Sequence, residues 1–358
     1  MRIATLFLFA TGLGLAASAA SSLTMGKADM KSAGVLTFGP DGILFAGDPA
    51  AGSIFAIDTD DNKATAGVSV DLKAANEKIA ALLGTTADQI TINDVAVNPV
   101  SHKVYFSVTR GKSTDATPVL LRLDAAGKLS ELSLDRVKHS KVALPNPGSA
   151  ESKGRGPSPR MESITDLAYI DGKVYVAGLS NEEFSSSLRA ISFPFTGADR
   201  GTSVEIFHGA HGRFETAAPV RTFVPYTIAG KPHLLAAYTC TPLVKFSLGD
   251  LKEGQKVMGT TIAELGSGNR PLDMIKYSKG GKDYILMSNS ARGVMKISVD
   301  KIESYDSITK KTDITGVPYE TIASLKGVEQ LDLYDSKNAI MLIKGEGGAL
   351  DLKTIALP

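Results

Sequence analysis

The chain has 358 residues, 43% of them hydrophobic, with 39 basic and 38 acidic side chains, a single cysteine and no tryptophan. So even a balance offers no field to steer nucleic acid or an anionic membrane, and no aromatic platform interleaved with basic residues is present. One cysteine excludes an internal disulfide, and the length suffices for a large buried core within one domain.

The first residues match a secretory signal peptide: Arg2, an apolar run over residues 3–16, then Ala17-Ser18-Ala19. That assigns 1–19 to a leader and 20–358 to the mature protein, with the periplasm or the cell exterior as destination. The run is too short for a bilayer span, no later stretch reaches the roughly 20 apolar residues a span needs, and no cysteine follows the run to carry a lipid.

From about Val35 onward one unit recurs six times with a period of roughly 50 to 70 residues. Its second strands centre on Ile43-Leu44-Phe45, Val104-Tyr105-Phe106, Val174-Tyr175-Val176, Leu234-Leu235-Ala236, Tyr284-Ile285-Leu286 and Ile340-Met341-Leu342. The pattern predicts an all-β, six-bladed β-propeller. Aligning the first strands places Asp94, Asp166 and Asp273 at equivalent positions, with Val35, Thr222 and Gln330 at the other three. These six residues are expected to ring one mouth of the central channel, the carboxylates capping neighbouring backbone amides.

Two insertions interrupt the repeat. A helix is predicted from about residue 72 to 83, between the first and second blades, ended by Gly84. Residues 137–161, rich in Pro, Gly, Ser and basic side chains, read as a mobile loop. The segment before Val35 is expected to complete the sixth blade and close the ring.

The candidate chemistry starts at His208-Gly209-Ala210-His211 with Glu215, in the loop between the third and fourth blades. Cys240 falls at the end of a strand whose following turn opens onto the same face. Two imidazoles and a thiolate suit copper or zinc, and surface imidazoles with a small buried thiol are the plain alternative. Tyr238 lies two residues before Cys240, which in a strand puts both on one face. These ingredients resemble those of the copper radical oxidases, which carry a Tyr–Cys thioether beside the metal, although there the pair is not two residues apart. Glu182 and Glu183, in a turn rich in Ser and Asn, suit a hard cation or a general base. Arg270 and Arg221, where the fifth and fourth blades begin, suit a carboxylate clamp or neutralisation of the aspartate ring.

The segments Phe38-Gly39-Pro40-Asp41-Gly42-Ile43-Leu44-Phe45 and Asp171-Gly172-Lys173-Val174-Tyr175-Val176 resemble the strand, Asp-Gly turn, strand units of the gluconolactonase and strictosidine synthase superfamily, and more loosely the NHL-type repeat proteins. The resemblance implies a divalent metal over the channel, for which Glu182, Asn289 and Asp273 are the candidates here.

Three readings follow. The first is an exported metalloprotein, a copper-dependent oxidoreductase built on His208, His211 and Cys240, with Tyr238 or Glu215 nearby. The second is a calcium-type hydrolase or lactonase using Glu182, Asp273 and Asn289, with Arg270 as a further catalytic candidate. The third is a propeller without chemistry that contacts a periplasmic protein through its loops. The first two imply a small-molecule substrate, and none involves nucleic acid.

Overall fold

The computed structural model describes residues 19–113, 116–152, 158–240 and 242–358, so the predicted leader lies outside the described residues except for Ala19. Six sheets, antiparallel except where Lys256–Met258 pairs in parallel with Thr202–His208, surround a central channel, as the repeat predicts. Strand Ile43–Asp48 is buried along its whole length, because both faces of a blade lie against neighbouring blades. Apolar residues therefore run continuously along the second strands instead of alternating. At the first hairpin of the third blade, Asp171 (φ 45°) and Gly172 (φ 80°) are both left-handed, the turn whose twist matches that of the flanking strands.

Numbered by chain order, the inner strands of the blades are Leu36–Phe38, Ile90–Val97, Asp166–Ile170, Thr222–Ile228, Pro271–Lys279 and Val328–Leu333. Around the channel they do not follow that order. The second blade sits between the sixth and the first, and the first then abuts the third. After three strands of the first blade the chain crosses to the sixth, where Asp71–Leu72 pairs with Leu350–Ala356 as its fourth strand. It then forms the second blade and returns, so that Val137–Ala143 becomes the fourth strand of the first blade, paired with Ser53–Asp58.

Two expectations are corrected here. Residues 137–143 are a strand and not the start of a loop; only Val137 and Val142 of it are buried, as befits an outer strand with little apolar surface to hide. Residues 153–157 of the same stretch lie outside the described residues. The N-terminal segment does not complete the sixth blade: Thr24–Gly26 pairs with Val137–Ala143 at the outer edge of the first. The predicted helix is Ala75–Leu82, and it buries Ala75, Ile79 and Ala80 among residues of the second and sixth blades, including Val95, Phe106, Ile340 and Leu352. Among the described residues no helix is long and apolar enough to cross a membrane.

Channel aspartates join the blades. Asp94 accepts hydrogen bonds from the amides of Val95 and Leu36, Asp166 from Leu167 and Phe223, and Asp273 from Met274 and Leu331, all at 2.6–2.8 Å. A fourth, Asp332, does the same with Leu333 and Val97. The sequence alignment overlooked Asp332, although it lies two residues beyond Gln330 on the same strand face. Each carboxylate thus holds its own strand and the inner strand of the next blade around the ring.

Burial pushes all four carboxyls upward, Asp332 to about 6 and Asp166 to about 7, against the pull of the backbone amides. Asp94 and Asp273 rise well above the ordinary range, again through burial, reinforced at Asp94 by the charges of Asp166 and Asp332 and at Asp273 by those of Asp94 and Asp166. A folded-state pKa above the unfolded value means stability that is complete below about pH 4 and is lost as pH rises through the folded pKa. Opposing groups act lower on the scale. Burial alone would raise Asp61, but Lys103, Ser101 and Tyr105 outweigh it and hold the carboxyl below its usual value. The melting midpoint is therefore expected to fall as pH is raised from about 5 to about 8. Calorimetry across that range checks this, and a flat or rising midpoint contradicts it.

Candidate metal centre and channel mouth

Strand Thr202–His208 ends in a tight turn and returns as Arg213–Glu215, pairing Ile206 with Glu215 and His208 with Arg213. The histidine segment is thus a hairpin at the outer side of the third blade and not a link between blades. Its two glycines serve different ends. Gly212 is left-handed (φ 69°), whereas Gly209 is needed for closeness: a Cβ there would lie 2.8 Å from Cγ of Glu264. Glu264 is fully buried beneath the turn and accepts the Gly209 amide at 2.5 Å.

One carboxylate orients both imidazoles. Glu215 meets His208 Nδ1 at 2.8 Å and His211 Nδ1 at 2.6 Å, and Arg213 Nε at 3.1 Å. Burial alone would raise the Glu215 carboxyl, but the hydrogen bonds from His208, His211 and Arg213 outweigh it and hold it at about 2. An ionised Glu215 accepts only, so each Nδ1 carries its proton, and in a neutral ring Nε2 then presents a lone pair. Burial also lowers the His208 pKa, which favours its neutral ring. The His208 side chain is 3% exposed and its Nε2 is buried without a hydrogen-bond partner, whereas His211 is 42% exposed.

Cys240 completes the group. It adopts a left-handed backbone (φ 61°) in the turn after strand Lys231–Ala237, with its amide donating to the Asn269 carbonyl at 2.8 Å. One ligand atom from each of His208, His211 and Cys240 lies within 4.8 Å of the others, and this is the one such cluster of His, Cys, Asp or Glu among the described residues.

The other predicted residues fall elsewhere. Tyr238 does not share a face with Cys240, because the strand ends at Ala237 and alternation ends with it. Its ring is buried in the core between the third and fourth blades with Leu188, Val204 and Phe246, where burial raises its pKa. The lactonase-type set is held by separate partners. Glu182 accepts from Asn146 at 3.0 Å, beside the buried Arg189, which donates to the same asparagine. Asn289 donates to Asn269 and accepts from the amides of Ala291 and Arg292, and both Asp273 oxygens are taken by backbone amides.

No protein-family model and no curated protein matches the sequence. Solved structures with a related chain path include Drosophila Plexin A in complex with Semaphorin 1b, with a TM-score of 0.40, 10% identity, and coverage of 91% of this chain and 85% of that one. The PQQ-bound aldose sugar dehydrogenase from Streptomyces coelicolor gives 0.37, 11%, 93% and 98%. An engineered GH43 glycoside hydrolase with endo-xylanase and exo-arabinofuranosidase activity gives 0.38, 9%, 75% and 51%. Likenesses this distant leave the chemistry to be read from the side chains themselves.

The candidate cluster is linked to the channel mouth through the residue next to Cys240. Thr239, next to Cys240, accepts from Arg221 Nε at 3.2 Å, and Arg221 Nη1 pairs with Glu162 at 2.6 Å. Arg221, Glu162 and Arg270 line a cavity of about 330 Å³ whose floor is Asp94, Asp166 and Asp273. Beyond those carboxylates a second cavity of about 310 Å³ is lined largely by apolar side chains such as Phe38, Phe223 and Met274. Sequence alignment anticipated the floor residues, and Val35, Thr222 and Gln330 also border the mouth.

Proposed function

We propose that this chain is an exported metalloprotein that binds one copper or zinc ion through His208 Nε2, His211 Nε2 and Cys240 Sγ, and that it catalyses copper-dependent oxidation. The observation that carries the reading is a single carboxylate fixing both imidazoles by Nδ1, with Nε2 of His208 buried and unpaired and one ring nitrogen of each histidine within 4.8 Å of the other and of the thiol. Carboxylate-oriented histidines are the usual second layer of a metal site. Two imidazoles and one thiolate, with no fourth ligand of the His, Cys, Asp or Glu type in the group among the described residues, suit a trigonal copper site or a zinc site with an open position.

A bound ion would supply redox or Lewis-acid chemistry at the rim of the channel. The chain's own contribution is to hold the donors still. Glu215 sets both tautomers, Gly209 lets the turn settle onto Glu264, and the Asn269 carbonyl fixes the Cys240 backbone.

The test is titration of the mature chain, purified without chelators, with copper, zinc and cobalt. One equivalent is expected, with a visible thiolate-to-metal charge-transfer band for copper and cobalt. Calcium binding alone, or no metal at one equivalent, would overturn the reading.

A further inference from the structure

We propose that the polar mouth of the channel binds a small organic monocarboxylate, its carboxylate held by the guanidinium of Arg270 and the remaining Nη2 edge of Arg221. This goes beyond the metal reading and rests on different side chains. The Arg221 donors Nε and Nη1 are engaged by Thr239 and Glu162, which fixes the plane of that guanidinium and leaves Nη2 for another acceptor. Arg270 is anchored through its backbone alone: its amide donates to Ser290 Oγ at 2.9 Å and its carbonyl accepts the Ser290 amide at 2.9 Å. Its guanidinium makes no hydrogen bond or ion pair among the described residues, and it stands close enough to Arg221 that, after burial, the charge of Arg221 is the chief influence lowering its pKa.

Above the floor, two guanidiniums and the one Glu162 carboxylate leave one positive charge, and the floor carboxylates Asp94, Asp166 and Asp273 offset it only to the extent that they are ionised. The floor does not supply the missing anion by contact, because the oxygens of Asp94, Asp166 and Asp273 are directed to backbone amides. Glu162 would repel a second negative charge on the ligand, so a monoanion fits better than a dianion. Planar bidentate recognition is what arginine offers a carboxylate. The 330 Å³ cavity is also lined by Asn93 and Thr109; Asn93 Nδ2 donates to the Ala33 carbonyl and to Thr109 Oγ1, which leaves Asn93 Oδ1 and the Thr109 hydroxyl proton for hydroxyl groups on the body of such a ligand.

The test is calorimetry of the full mature chain with quinate, a hydroxylated monocarboxylate of suitable size, against its neutral methyl ester and inorganic phosphate. Quinate is expected to bind and the ester not to. Arg270→Gln should weaken binding by at least about tenfold, with Arg270→Lys between it and the wild type. Matching melting curves for the Arg270 variants would show an intact fold, and His208→Ala should leave quinate affinity unchanged, which separates this site from the metal centre. No quinate binding, equal binding of acid and ester, tighter binding of phosphate, or an unaltered affinity in Arg270→Gln would each overturn the proposal.

Discussion

Asp273→Ala is expected to cost the propeller about 2–6 kcal/mol, because it strands two buried amide donors, those of Met274 and Leu331, at about 1–3 kcal/mol each. The two donors belong to adjacent blades, so the loss loosens the contact between the fifth and the sixth. Asp273→Asn keeps one carbonyl acceptor and removes an ionisable group. It should therefore cost about half as much and flatten the fall of stability above neutral pH. Denaturant unfolding of both variants at two pH values checks this. Equal stability of Asp273→Ala and the wild type would mean that the carboxylate does not hold the blades together.

His208→Ala and Cys240→Ser are each expected to abolish stoichiometric binding of copper or zinc, and Cys240→Ser to remove the charge-transfer band as well. Each takes away one of the three donors that, among the described residues, lie within 4.8 Å of one another. Glu215→Gln is the more discriminating variant. It leaves every donor in place but turns an acceptor-only group into one that also donates, so the two Nδ1 protons are no longer both satisfied. Metal affinity should fall about 10- to 100-fold with the band retained. Competition titration against a chelator measures it, and full affinity in Glu215→Gln would show that the carboxylate does not orient the rings.

What the sequence revealed was whatever local periodicity encodes. The six second strands are continuous apolar runs because they are covered on both faces, and the inner-strand register located Asp94, Asp166 and Asp273 correctly. Strand Val137–Ala143 was hidden by its Lys and His content, since an outer strand needs few apolar side chains. The swapped places of the first two blades left no local mark either. Pairing of Asp71–Leu72 with Leu350–Ala356 joins segments at opposite ends of the chain, and periodicity carries no information at that distance. At the candidate metal centre, the residue types of His208, His211, Glu215 and Cys240 pointed to one site. The misplacing of Tyr238 followed from extending strand alternation past Ala237 into a turn where Cys240 has φ 61°. Glu264 gave no signal, because its place beneath Gly209 depends on a contact between different blades.

The threading of the chain sets a schedule for its synthesis. Asp71–Leu72 is made long before its partner Leu350–Ala356. Until then helix Ala75–Leu82 lacks the sixth-blade residues Ile340, Leu342 and Leu352 that help to cover its apolar face. The first blade, for its part, waits for the whole of the second to be made before its fourth strand arrives. A nascent chain therefore cannot finish this protein blade by blade as it emerges, and the sixth blade is completed only once Leu350–Ala356 is available to Asp71–Leu72.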